Sequence, residues 1–235
     1  MRKLLSWMLL ITLLFVGMPS LCEGWDDEED DFEFFDEDET EFDIEEEKQT
    51  LSALSGYDER FQVIISGDFG YLPINEGTAA SITSYTGTEG ELTVPEKLDD
   101  LPVISIGNQA FWYNDVVEFV RISEGITEIG DMAFYMCPNL KEVYLPEGVV
   151  SIGTCCFGGC AMLEAVEISS TVETVSDFAF LACSSMKEIS FSENLKSIGV
   201  SAFQMCSSLQ KVTIPEETEI GNDAFTECPA EIVKQ

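Results

Sequence analysis

Seven of the eight cysteines lie in the second half of the chain, and five follow one another at steps of 23 or 22 residues: Cys137, Cys160, Cys183, Cys206 and Cys228. Cysteines in series serve three chemistries: disulfide cross-linking, thiolate ligation of zinc, and nucleophilic catalysis. Composition weighs against two of them. The 235 residues contain no histidine, which removes the usual general base and the commonest zinc ligand. Any Ser/His/Asp or Cys/His mechanism goes with it. Carboxylates are plentiful, 45 against 11 basic groups. None recurs as an isolated pair in an apolar setting, so no general acid and base stand out. A net charge of −34 repels nucleic acid and anionic lipid, and no nucleic-acid partner is expected.

The elements that must position these cysteines are copies of one unit. The stretch TEIGDMAFYMCPNLKEVYLPEGV at 127–149 recurs with substitutions at 104–126, 150–172, 173–195 and 196–218, and a shortened copy, EIGNDAFTEC, follows at 219–228. A fixed period of this size is the mark of a stacked repeat architecture. Counting from the start of each copy, position 8 is phenylalanine: Phe111, Phe134, Phe157, Phe180 and Phe203, with Phe225 in the short copy. Position 3 is Ile or Val, position 14 is Val, Leu or Met, and positions 17 and 19 are apolar around a polar 18. The 17/19 alternation is strand periodicity, while glycine at position 4 and proline at position 20 break any long helix. Each unit therefore reads as one short strand plus a compact Ala-Phe turn. A single coil cannot bury its own apolar face, but stacking at about 4.8 Å lets each phenylalanine rest on the next.

This geometry decides the cysteines. They occupy position 11, where the first copy has Asn114. Side chains in such a column point the same way, whereas a disulfide needs Cβ atoms converging to about 3.8 Å. A column of reduced thiols is the expectation, neither cross-linked nor gathered on a metal, and no cofactor is implied. Cys156 replaces the alanine of position 7 and is expected inside. Cys155 falls at the variable position 6 and is expected near the surface, as an inert residue or a thiol able to join two molecules.

The rest of the chain divides by composition. Residues 1–22 read as a signal peptide: Arg2 and Lys3, an apolar run over Leu4–Val16, then a cleavage region around Pro19–Cys22. The run is short for a membrane span, so no transmembrane segment is expected after signal removal. Residues 23–56 form an acidic segment with 17 carboxylates between 23 and 48, which mutual repulsion should keep extended and disordered. Its aromatics Trp25, Phe32, Phe34, Phe35 and Phe42 alternate with acids, a pattern able to dock on a cationic, apolar groove. Loose collection of divalent ions is an alternative, and an inert spacer a third. Residues 57–103 carry β-type runs around Asn75-Glu76-Gly77, a hairpin capping the stack, and LTVP at 92–95 supplies the strand of an incomplete leading coil. Residues 104–235 are the repeats, closed by a strand within 229–235.

Positions 15, 16 and 18 flank the inward residues of the strand and should face out over a concave sheet. Position 15 alternates in sign through Glu118, Lys141, Glu164 and Lys187 to Gln210, an ionic ladder that supports register. At positions 16 and 18, Phe119, Arg121, Glu142, Tyr144, Glu167 and Lys211 are the candidate ligand-binding residues. Aromatic and arginine side chains standing in the open are the common hot-spot types.

Read together, I-G-x-x-A-F-x-x-C-x-x-L-x-x-V-x-I/L-P at period 23 resembles the BspA-like leucine-rich repeats, the Treponema pallidum type, over about 90–235. The resemblance implies a leucine-rich-repeat solenoid with one short parallel strand per coil, export to a cell surface, and adhesin-like protein binding without catalysis. Its partner would be another protein, of host matrix or bacterial surface. The alternative is a structural spacer whose acidic segment contacts cationic partners or divalent cations.

Overall fold

The computed structural model describes residues 62–235. The signal-peptide and acidic-segment readings lie outside the described residues. The chain opens with β1 (Ile64–Ser66), β2 (Phe69–Ile74) and β3 (Ala79–Tyr85), joined in antiparallel order, with Asn75–Gly77 as the turn between β2 and β3. Next come β4 (Glu91–Thr93), β5 (Lys97–Leu98) and β6 (Leu101–Ile106). From there every coil contributes two short strands. One set comes from positions 16–18: β7 (Phe119–Arg121), β9 (Glu142–Tyr144), β11 (Ala165–Glu167), β13 (Glu188–Ser190) and β15 (Lys211–Ile214). The other comes from positions 2–3: β8 (Glu128–Ile129), β10 (Ser151–Ile152), β12 (Thr174–Val175), β14 (Ser197–Ile198) and β16 (Glu219–Ile220). A last strand, β17 (Glu231–Lys234), pairs in parallel with β15 and closes the stack.

The first set forms one side of the solenoid and the second, continuous with the β1–β2–β3–β6 cap, forms the other. The second strand in each coil was not expected, because two residues are too few to show an alternation. The cap hairpin, the leading strand and the closing strand stand where composition placed them.

Between the sheets run the expected columns. Phe111, Phe134, Phe157, Phe180 and Phe203 are buried, and successive ring centroids from Phe111 to Phe225 are 4.7, 5.4, 5.3, 5.1 and 5.3 Å apart. Tyr85 extends the file into the cap at 5.6 Å, and Phe69 lies 5.1 Å beyond it. Fully burying each ring contributes about 1.5–3 kcal/mol. The file is thus a large share of what opposes chain entropy in a fold with almost no helix.

The Ala-Phe half of each coil is held by hydrogen bonds to its neighbour. The N–H groups of Gln109, Phe111 and Tyr113 donate to the carbonyls of Asp131, Ala133 and Tyr135 at 3.0, 2.7 and 2.9 Å, and later coils repeat the pattern. Positions 6 and 10 are left-handed: Gln109, Met132, Cys155, Phe178 and Ser201 at the first, Tyr113, Met136, Gly159, Ala182 and Met205 at the second. Side chains disfavour this conformation by about 1–2 kcal/mol per residue. With the backbone so turned, alternate N–H groups donate to the next coil, and an unsatisfied buried donor costs about as much as the conformation does.

The side formed by positions 16–18 is not continuous. β4, β7, β9 and β11 make a four-stranded parallel sheet, and β13, β15 and β17 a separate three-stranded one. The ladder opens between the third and fourth copies. The fourth has Ser176 where its neighbours carry the position-4 glycine, and Phe191 at position 19, whose ring packs edge-on against Phe203 at 6.4 Å. Ile168, at position 19 of the third copy, is only half-buried.

Candidate binding surface

The cysteine column is structural. The thiols of Cys137, Cys160, Cys183 and Cys206 donate to the carbonyls of Phe111, Phe134, Phe157 and Phe180 at 3.0, 3.0, 3.2 and 3.1 Å, tying each coil to the one before. In the first copy the Asn114 side-chain oxygen Oδ1 accepts from the Val116 and Val117 N–H groups, each at 3.0 Å. Cys137, Cys160, Cys183, Cys206 and Cys228 are reduced; the first four are buried and Cys228 is half-buried. Burial pushes the Cys206 thiol up to about 12 and raises Cys156, Cys183 and Cys228. The adjacent Cys160 thiol, then burial, raises Cys137.

A thiol protonated in the fold but ionised in the unfolded chain stabilises the fold fully below the unfolded value, near 9. That contribution fades as pH rises toward the folded value. Between pH 9 and 12 the melting temperature should therefore fall steeply, and Cys183→Ala with Cys206→Ala should flatten the decline. An equal slope in parent and variant would show that these thiols are not the coupled groups.

Cys155 departs from expectation. Its relative exposure is 3%, so it cannot join two molecules as folded. Its neighbours in the position-6 column, Met132 and Phe178, are longer side chains and flank it. Among the described residues no cluster of Cys, Asp and Glu is placed to hold a metal ion, and no helix is long and apolar enough to cross a membrane.

The outer face of the four-stranded sheet is hollowed by a concavity of about 490 Å³. Val120 and Val143 point inward and are buried, which turns their strand neighbours outward. The pairing register lines these up in two rows. One runs Glu91, Phe119, Glu142, Ala165; the other runs Thr93, Arg121, Tyr144, Glu167. Phe119 and Tyr144 are half-buried, and Arg121, Glu142 and Glu167 exposed. The Arg121 guanidinium lies 4.5 Å over the Tyr144 ring centroid, while Lys141 Nζ bonds Glu118 at 2.5 Å and sits 5.6 Å from the Phe119 centroid.

Five of the six residues nominated from sequence therefore share this hollow. The sixth, Lys211, is on β15 in the other sheet and does not line it. The sequence reading missed Glu91, Thr93 and Ala165. The match of LTVP in the leading coil to VYLP of 143–146 was the available signal: extending it to positions 16 and 18 puts Glu91 and Thr93 in these rows. The position-15 ladder reduces to two ion pairs, Glu118–Lys141 and Glu164–Lys187, the second at 3.8 Å and well exposed.

The description "BspA type Leucine rich repeat region" matches six copies over residues 104–231, more than half of the chain. The chain belongs to this leucine-rich repeat family. Among solved structures, the leucine-rich repeat protein of T. pallidum is similar at 28% identity, with a TM-score of 0.51 over 71% of this chain and 68% of that one. A leucine-rich repeat protein from Bacteroides ovatus shares the fold at 22% identity and a TM-score of 0.60, over 73% of this chain and 53% of its own. No curated protein matches the sequence. This BspA-type chain thus has the solenoid that its sequence foretold, with the hollowed sheet among its first coils.

Proposed function

We propose that this BspA-type protein is a secreted or cell-surface protein-binding module, adhesin-like and without catalytic activity. Its binding surface is the face formed by β4, β7, β9 and β11. The observation that carries this reading is the pair Arg121 and Tyr144, stacked on each other in a hollow with Phe119 beside them. Rigid strands fix these side chains in advance, so little ordering cost remains when a partner arrives. Arginine and tyrosine set in a concavity are the residue types that dominate protein interfaces. The apolar run of residues 1–22 supports export.

The full chain, used as bait against host matrix proteins and bacterial surface extracts, should retain a protein partner. Arg121→Ala with Tyr144→Ala should weaken that capture at least tenfold and leave the melting temperature nearly unchanged. Unaltered capture by this variant would remove the face from consideration. If deletion of residues 23–48 instead abolished binding, with a steep dependence on salt, the acidic segment would be the contacting part.

A further inference from the structure

The hollow carries an imbalance of charge that narrows its partner. Of the nearby cations, Lys141 is paired with Glu118, while Arg121 lies over the Tyr144 ring and keeps its charge. Among the described residues the ion pairs are Lys141–Glu118, Lys187–Glu164 and Lys196–Glu173, and none involves Glu91, Glu142 or Glu167. Glu91, Glu142 and Glu167 thus set three negative charges against the one positive charge of Arg121 in a hollow lined also by the Phe119 and Tyr144 rings. Register adds a spacing. Glu91 and Glu142 flank Phe119 in one row, on strands two steps apart, so about 10 Å separates them.

We propose that the hollow receives an extended basic segment of a partner protein, its cationic side chains seated by Glu91, Glu142 and Glu167 over the aromatic floor. The proposal rests on the reading of this face as the binding surface and adds the chemistry of what it takes. A left-handed extended chain repeats every three residues at about 3.1 Å each, so a basic residue at every third position recurs about every 9 Å, in step with Glu91 and Glu142. Such chains dock on aromatic-lined grooves, and here Phe119, with Lys141 Nζ 5.6 Å from its ring centroid, lies between the two carboxylates in the row. A second copy of this chain, at net charge −34, is repelled from the same surface.

The test uses the full chain and a fluorescently labelled peptide with three Lys-Pro-Pro repeats. Two control peptides accompany it: Glu-Pro-Pro repeats, and the same lysines and prolines with the lysines clustered at one end. Anisotropy should show binding of the periodic lysine peptide, at least fivefold weaker binding of the clustered one, and none of the glutamate peptide. Glu91→Gln with Glu142→Gln and Glu167→Gln should weaken the periodic peptide at least tenfold and reduce its salt dependence, and carbodiimide should cross-link it to those glutamates in the parent. Equal binding by parent and triple variant, with cross-links only within residues 26–47, would overturn the proposal, as would equal binding of periodic and clustered peptides. In both cases the binding surface itself is judged separately, by the loss or survival of protein capture in the Arg121→Ala, Tyr144→Ala variant.

Discussion

Phe157→Ala should lower the unfolding free energy by about 3–5 kcal/mol, the range for removing a fully buried phenylalanine from a core that collapses only in part. Phe157 has rings on both sides, Phe134 at 5.4 Å and Phe180 at 5.3 Å, and is fully buried. Neither neighbour can close the gap without leaving its own partner. In a stack where each coil contacts only the next, a break at the middle also uncouples the two halves. Urea titration followed by tryptophan fluorescence and by circular dichroism should therefore show two transitions in the variant and one in the parent. Phe225→Ala is the internal comparison. That ring stacks on Phe203 alone and is half-buried, so its loss should cost less than half as much. Equal costs at the two sites would mean that the file is not a cooperative unit.

Gly153→Val should cost about 1–3 kcal/mol through overpacking, and it acts on backbone instead of side chains. A Cβ at Gly153 would stand 2.6 Å from the Gly130 carbonyl oxygen and 2.7 Å from its carbon, both fixed in the preceding coil. The coils touch here, and only hydrogen atoms fit between them. Gly125 is the control: its φ is +91° and nothing lies within 4 Å of the added Cβ. Gly125→Ala bears the conformational cost alone, about 1–2 kcal/mol. A Gly153→Val protein as stable as the Gly125→Ala protein would show that the coils can part at position 4 without loss.

The apolar columns were legible because each recurs in one register with apolar residues throughout. Five phenylalanines at a step of 23 residues, and a sixth 22 further on, leave a stacked file as the economical way to bury them. The turn conformation was not legible. Met132, Phe178 and Met205 are poor signals for left-handed backbone, yet all three adopt it, because hydrogen bonds to the next coil impose it and local preference yields. Cys155 was misplaced for the same reason: burial at position 6 depends on the side chains above and below it in the stack. Along β7, β9 and β11 the residues turned outward are those that alternation indicated, whereas Thr213, at the corresponding position of β15, is buried. That Lys211 belongs to a different sheet depends on the opening between β11 and β13, which no single residue type announced. Glycine at position 4 was visible only as a helix breaker, while its physical role is close approach between coils.

The central functional claim is that a partner covers the hollowed sheet and leaves the turn side of the solenoid open. Hydroxyl-radical footprinting of the full chain, free and partner-bound, tests it directly, because aromatic and methionine side chains report on both sides. Phe119 and Tyr144 should lose reactivity on binding, while Tyr113, Met136 and Met205, at 62%, 41% and 48% exposure on the turn side, should keep theirs. Protection of those three with Phe119 and Tyr144 unchanged would contradict the account.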